Sequence, residues 1–352
     1  MSSTTEQAAE EATAVPPAQV PASPWRFLRN AAAVPEALPA TMLVVVVVVF
    51  WTWNSAFVSS ENLSGILAFL PEVGLIALGM TMLLTAGQFD LSVGAVFGFV
   101  PLLVFILVNQ SGLPLLGAMA VGLVASAVIG LVNGLIVTKA NISSFLVTLS
   151  TQLIIGGGAL YMSSGFPQST LDMGSAVRSA LVGKTTIAGI TVYSSVLWFL
   201  GIALVLGYCL SQTRLGNWIS ATGGNPDAAR ARGIRTDRVT IGLFVLASLL
   251  AGFAGIISDL RIGTAFPTAG QGYELEAIAM AVVGGTSLFG GRGTIIGTIL
   301  GALLLRVIRN GVVLVGVPGL AYTMFVGGII LLAMMLQGAL HKFGILTKGG
   351  RP

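Results

Sequence analysis

Charge is what this sequence has least of. Only 9% of its 352 residues are Asp, Glu, Lys or Arg, while 55% are hydrophobic, and a water-soluble domain of that length needs a far larger charged surface to stay in solution. Most of the chain is therefore expected to sit in lipid. Aromatic residues are few, at 8%, and glycines number 46. That balance suits helices packed closely in a bilayer better than a barrel of alternating polar and apolar residues. Helices also satisfy their own backbone groups where water is absent. A single cysteine, Cys209, excludes an intrachain disulfide, a redox pair and a cysteine metal cluster. The single histidine, His341, lies in a polar tail and reads as a solvated residue rather than a metal ligand. The net charge of +4 reports orientation in a membrane before anything else, and no nucleic-acid partner is expected.

Long apolar runs are what the sequence does have. Residues 1–36 are rich in Ala, Pro, Glu, Ser and Thr without an apolar run near the start; they read as a disordered tail rather than a signal peptide. A spanning helix needs about 20 apolar residues. Such runs fall at 38–57, 64–86, 90–109, 114–138, 142–164, 192–211, 239–260, 272–289, 294–315 and 320–338. The expected fold is thus all-α and integral to the membrane, with about ten transmembrane helices in a domain over 37–339 and a second tail over 340–352. The second run is interrupted at Pro71 and Glu72, and the eighth and ninth are short and glycine-rich, which suggests partly re-entrant segments.

Lys and Arg are retained on the cytoplasmic side. Ten crossings place Arg26, Arg29, Lys139, Arg214, Arg230, Arg232, Arg235, Arg238, Arg292, Lys342, Lys348 and Arg351 on the side of both termini, against Arg178, Lys184 and Arg261 on the other. Both termini are expected in the cytoplasm. Arg306 and Arg309 fall inside the ninth run, either near its outer end or paired with a buried acid. The loop over 165–191 is then external and carries a short possible helix near 172–181. The loop over 212–237 is cytoplasmic; in it Asn225 or Pro226 can start a helix whose first turn holds Asp227.

Small residues recur four apart at Gly293, Gly297 and Gly301, at Gly130 and Gly134, and at Ala247, Ala251 and Gly255, a spacing that lets helix backbones approach closely. An internal echo matches Asn133-Gly134 within 129–137 to Asn310-Gly311 within 308–314, as a duplication would. Gly183-Lys184-Thr185 lacks the earlier glycine of a phosphate-binding loop, since position 178 is Arg178. No other such motif appears, so the chain is not expected to hydrolyse ATP; it has no catalytic residues, and no metal ligands are expected in it. A carboxylate inside a membrane calls for a partner or a wet cavity. Glu72, Asp90, Glu274 and Glu276 qualify, although Asp90, followed by Leu91 and Ser92, could instead cap the start of a helix.

Several stretches resemble the membrane permeases of the ribose-type branch of ATP-binding cassette importers. They are Gly79-Met80-Thr81 leading to Asp90-Leu91-Ser92-Val93-Gly94, and Asn133-Gly134 with Phe145-Leu146-Val147-Thr148-Leu149. Two more are Gly223-Gly224-Asn225-Pro226-Asp227-Ala228-Ala229-Arg230 before Gly233-Ile234, and Tyr273-Glu274-Leu275-Glu276-Ala277-Ile278-Ala279 before Gly284-Gly285-Thr286-Ser287. The resemblance runs from about Asn62 to Ala333. It implies a homodimer or close heterodimer in the inner membrane, two cytoplasmic ATPase subunits that bind ATP and Mg, and a periplasmic or lipid-anchored sugar-binding protein. It also implies that Gly223, Gly224, Asn225, Pro226, Asp227, Ala228, Ala229, Arg230 and Gly233 form the helix that couples to the ATPase. No cofactor is expected in this chain itself. Gly87-Gln88-Phe89 and Pro71-Glu72 depart from the family's usual residues and leave the solute open.

Alternating access is the expected mechanism, with a substrate pathway drawn from Glu72, Gln88, Asp90, Asn133, Gln152, Glu274, Glu276 and Asn310, whose amides and carboxylates exchange hydrogen bonds with hydroxyls. Three other readings remain. An ion-coupled secondary transporter would use Glu72 and Asp90 but has no need of the Arg-rich docking loop. A branched-chain amino-acid permease is opposed by the Asp90-Leu91-Ser92 pattern. A membrane enzyme lacks a nucleophile with a base.

Overall fold

The computed structural model describes residues 36–169 and 176–317, together with Met324, Gly327, Gly328, Leu331 and Met335. In chain order the helices are α1 (Ala37–Trp53), α2 (Ser60–Thr85), α3 (Val93–Ser111), α4 (Leu115–Lys139), α5 (Ser144–Met162), α6 (Ala176–Val182) and α7 (Ser194–Gln212). They continue with α8 (Arg214–Gly224), α9 (Pro226–Ala231), α10 (Thr236–Ile262), α11 (Tyr273–Val283) and α12 (Ile295–Leu314). Four short strands, β1 (Gln168–Ser169), β2 (Lys184–Ile187), β3 (Ile190–Tyr193) and β4 (Thr264–Ala265), pair antiparallel as β1 with β4 and β2 with β3.

Among the described residues seven helices, α2, α3, α4, α5, α7, α10 and α12, are long and apolar enough to cross a membrane. The apolar α1 is shorter, at 17 residues. The eighth expected run differs most. Its helix, α11, has 11 residues, which at about 1.5 Å per residue reaches only about half of a hydrocarbon core of about 30 Å. It ends at Gly284 and Gly285, the latter left-handed at φ +98°. The tenth expected run, 320–338, lies almost wholly outside the described residues, as do His341 and the tail over 340–352.

The expected interruption at Pro71 does not occur: α2 runs unbroken for 26 residues. Proline removes one backbone donor from a helix. In α2 that site is surrounded by protein, since nearly every residue from Leu70 to Thr85 is buried, and packing against neighbouring helices holds the helix together where isolated propensity would not.

The centre of the bundle is α2 against α10, with α10 also against α3 and α4, and with α11 and α12 against α2. The crossing of α2 and α10 is antiparallel, Glu72 meeting Arg261 near one end and Gly79 lying against Ala247 further along. Glycine sets the spacing elsewhere. A Cβ at Gly130 would lie 2.5 Å from the Phe244 carbonyl oxygen, and one at Gly134 would lie 2.8 Å from the Ile241 Cα, so α4 and α10 touch backbone to backbone. Ser126 and Ser248 fasten the same contact, each hydroxyl donating to the other residue's carbonyl. The small-residue spacing read from the sequence therefore does mark close helix approach. The outer faces of α4, α5 and α7 are apolar and exposed, among them Leu153, Ile154 and Leu204, as expected of surfaces that meet lipid or another hydrophobic body.

Candidate functional site

Inside this apolar bundle the polar groups gather at three places. The first is the turn between α2 and α3. Asp90 is fully buried there, and its Oδ1 accepts from the Ser92 backbone N–H (2.7 Å) and the Ser92 hydroxyl (2.6 Å), closing a turn onto Ser92, the N-cap of α3, without capping that helix's own N–H groups. The cluster extends across helices. Asn133 Nδ2 of α4 donates to Ser92 Oγ (3.0 Å), Thr151 Oγ1 of α5 donates to Asn133 Oδ1 (2.7 Å), and the Leu91 N–H donates to Thr148 Oγ1 (3.0 Å). Asp90 Oδ2 is left buried without a hydrogen bond. Gln88 is half-buried in the same turn, its backbone N–H bonded to the Leu83 carbonyl (3.0 Å).

The second is the start of α11. Glu274 is buried, and its Oε1 accepts from Gln152 Nε2 of α5 (2.9 Å). Its Oε2 is buried without a hydrogen bond and lies against Gly94 in the first turn of α3. On the same short helix Glu276 reaches Arg309 Nη1 of α12 at 3.9 Å, which answers whether that arginine pairs with a buried acid. Asn310, next to it, donates to Asn62 Oδ1 at the start of α2 rather than joining the other pathway candidates.

The third is the end of the bundle that carries the β2–β3 hairpin. Arg261, at the last turn of α10, donates to Glu72 Oε1 through Nε (3.1 Å) and Nη2. Its guanidinium lies 4.2 Å from the Phe69 ring centroid and 6.0 Å from that of Tyr193, a geometry that adds cation–π attraction. Glu72 is thus engaged within its own subunit. Asp259, two residues before Arg261 in the last turn of α10, is also buried, with Oδ2 unbonded. Sequence reasoning passed over Asp259, Arg261 as a partner, and the hydroxyls of Ser92, Thr148 and Thr151. The two charges closing an apolar run were the available signal for the first pair; the hydroxyls gave none, because Ser and Thr are common on membrane helices.

The opposite end carries α8 and α9. Asn225 caps α9, its Oδ1 accepting from the Ala228 N–H (3.0 Å), with Pro226 as the first helical residue and Asp227 in the first turn. The helix begins where the sequence places it. Asp227 and Arg230 are exposed and paired at 3.4 Å, and Arg230 also reaches Asp237 (3.5 Å), which bonds Lys139 at the end of α4 (2.8 Å). Gly223 presses on the Thr85 carbonyl at the end of α2, and the Gly291 N–H donates to that carbonyl (2.9 Å). The end of α8 therefore abuts the end of α2, just before the turn that holds Asp90. Gly224 and Gly233, and Ala228 and Ala229, complete this loop; Gly233 is left-handed at φ +85°, which closes α9 as glycine does. Among the described residues no three His, Cys, Asp or Glu side chains converge to hold a metal ion.

Apolar crossing helices around buried, mutually bonded polar turns define a multi-pass membrane protein built to handle a polar solute. Comparison narrows the class. The family described as the permease component of the branched-chain amino acid transport system matches residues 62–335, and the chain belongs to it. The ribose import permease of Escherichia coli K12 is 37% identical over 295 residues, covering 84% of this chain and 90% of that one. The xylose/arabinose import permease of Sulfolobus acidocaldarius is 34% identical over 84% of this chain and 82% of its own length. The D-allose transport system permease of Escherichia coli K12 is 31% identical over 86% and 91%. No solved structure matches the chain.

Proposed function

We propose that this chain is the membrane-spanning subunit of an ATP-binding cassette importer that carries a monosaccharide, or a similar small polar solute, across the bacterial inner membrane by alternating access. The observation that carries this reading is the similarity, over more than four-fifths of the chain, to permeases named for ribose, xylose or arabinose, and allose. The energy comes from elsewhere: ATP and Mg are held by a separate ATPase, and the permease is a pore subunit rather than an enzyme.

The arrangement we favour has ten crossings with both termini cytoplasmic. Lys139, Arg214, Arg230, Arg232, Arg235, Arg238 and Arg292 cluster at the α9 end while Arg178, Lys184 and Arg261 belong to the hairpin end, which supports a cytoplasmic α9. The loop over 212–237 docks on the ATPase, and the loop over 165–191, with its hairpin, faces a sugar-binding protein outside. A second copy of the chain completes the pathway. Among the pathway candidates, Asp90, Asn133, Gln152 and Glu274 belong to bonded clusters around α3, α4, α5 and the start of α11, and they are favoured over Glu72, held by Arg261 at the hairpin end, and Asn310, bonded to Asn62 at the start of α2. Glu276 and Gln88 flank the favoured set.

Uptake into liposomes tests the reading. Permease reconstituted with its ATPase and binding protein should accumulate a radiolabelled monosaccharide only when ATP is supplied. Accumulation without ATP, driven by a proton or sodium gradient, would sink it. A second reading, amino-acid import, follows from the family's description as a branched-chain amino acid permease and is tested in the same vesicles with radiolabelled leucine.

A further inference from the structure

A second internal match accompanies the Asn-Gly echo, and it falls on the two broken-helix turns. Thr85-Ala86-Gly87-Gln88 recurs as Thr268-Ala269-Gly270-Gln271, and each is followed within a few residues by an acid and a leucine, Asp90-Leu91-Ser92 in the first and Glu274-Leu275-Glu276 in the second. The backbone repeats too. Gly87 and Gly270 are both left-handed, at φ +75° and +83°, and a helix starts just beyond each, α3 at Val93 and α11 at Tyr273. The bonding repeats in part. The residue two beyond each acid is held from the helix that follows, Ser92 by Asn133 of α4 and Glu276 by Arg309 of α12; Asn133 and the neighbour of Arg309, Asn310, are the asparagines of the Asn-Gly echo, but Asn310 itself bonds Asn62. Because α2 and α10, the helices leading into the turns, run antiparallel, the two copies enter the bundle from opposite ends, as inverted repeats do.

The turns meet. A Cβ at Gly94 would collide with Glu274 Oε2 and lie 2.5 Å from the Gly270 carbonyl oxygen; one at Gly98 would lie 2.5 Å from the Ala269 carbonyl oxygen. Phe97 and Tyr273 stack edge to face across the same seam, with ring centroids 5.1 Å apart. Glu274 lies at this seam and Asp90 four residues before Gly94; each acid has one oxygen engaged and one buried without a hydrogen bond, Asp90 Oδ2 and Glu274 Oε2. A buried carboxylate oxygen without a donor is costly, and proteins keep such groups where a ligand or a moving part supplies the donor.

We infer that Asp90 and Glu274 are equivalent residues of two inverted repeats and together form one hydroxyl-binding site, taking O–H groups of the translocating solute on their free oxygens when the first turns of α3 and α11 part. The ligand class is a neutral polyhydroxylated molecule, which offers several donors and no charge of its own. Gln152, bonded to Glu274, positions that carboxylate. The inference rests on the sugar-importer reading and adds to it which groups meet the sugar.

The test uses permease reconstituted with its ATPase and binding protein, and compares Asp90→Asn and Glu274→Gln with wild type, using radiolabelled ribose and, in parallel, xylose, arabinose and allose. Both substitutions keep the side-chain shape and an oxygen for the bonds to Ser92 and Gln152 while removing the charge that strengthens a hydrogen bond to a hydroxyl. Each should slow uptake roughly tenfold or more, with ATPase association, thermal stability and ATP hydrolysis stimulated by the binding protein retained. Variants that transport as wild type overturn the site alone. So does loss of uptake that tracks loss of ATPase association or of stability, since that marks a structural role. A wild type that takes up none of the four sugars fails the importer reading, and this site with it.

Discussion

Arg261 holds Glu72 in the fold. From the sequence that carboxylate, beside a proline within an apolar run, reads as a pathway group; in the fold it is 2% exposed and bonded twice by Arg261. A buried pair contributes little net stability over an apolar replacement, yet removing one partner strands the other charge at a cost of about 3 kcal/mol or more. Arg261→Ala is therefore expected to lower the unfolding temperature in detergent sharply, and Glu72→Gln with Arg261→Met to recover most of the loss. A double variant no more stable than Arg261→Ala would show that the arginine acts through Phe69 and Tyr193 rather than through the ion pair. The buried Asp259 shares this end of α10 with Arg261 and with Arg178, whose Nε donates to the Leu260 carbonyl (3.1 Å).

Among the elements, α9 is the one whose boundaries were written most plainly in the chain. Asn-Pro-Asp supplies a cap, a first residue with its φ preset and an acid in the first turn, all local features that need no tertiary partner, and the helix starts at Pro226 as expected. Replacing residues 225–230 with a Gly/Ser linker should abolish co-purification of the ATPase while leaving membrane insertion unchanged; an ATPase that still co-purifies would remove α9 from the coupling role. The long helices were legible for a similar reason, since length and apolar content are properties of the run itself. By contrast, α2 was misread at Pro71. The local rule for proline is correct for a solvated helix, but the burial of α2 decides the outcome. The shortness of α11 was only half legible: its glycines hinted at a break, and its contact with α3 fixes where the break lies.

At the scale of the whole molecule, the distribution of Lys and Arg supports the proposed direction, which the bundle itself does not carry. In a Cys209→Ser background, a cysteine placed at Ala188 in the hairpin is expected to react with a membrane-impermeant thiol reagent in intact cells, and one at Ala228 on α9 only after permeabilisation. The reverse pattern would invert the topology and detach α9 from any cytoplasmic partner. The repeat adds a constraint on shape: two inverted copies of a Thr-Ala-Gly-Gln turn approach each other through Gly94, Gly98 and Gly270, so a movement of one copy relative to the other is felt at the buried acids first.

Composition and hydropathy by themselves determined that this protein spans a membrane with helices. Its charge asymmetry and family-like motifs pointed to the rest of the importer. Those features survive in any arrangement of the helices, because each is a sum over a run or a short pattern within one. Which polar residues share a cluster was decided only by tertiary structure. Asp90 and Asn133 are 43 positions apart and joined through Ser92, Gln152 and Glu274 are 122 apart and bonded directly, and Glu72 and Asn310, equally good candidates by residue type, are bonded elsewhere. Hydrogen bonds between helices depend on which faces meet, and that is set by the close backbone contacts at glycine, a property of pairs of helices that no single run contains.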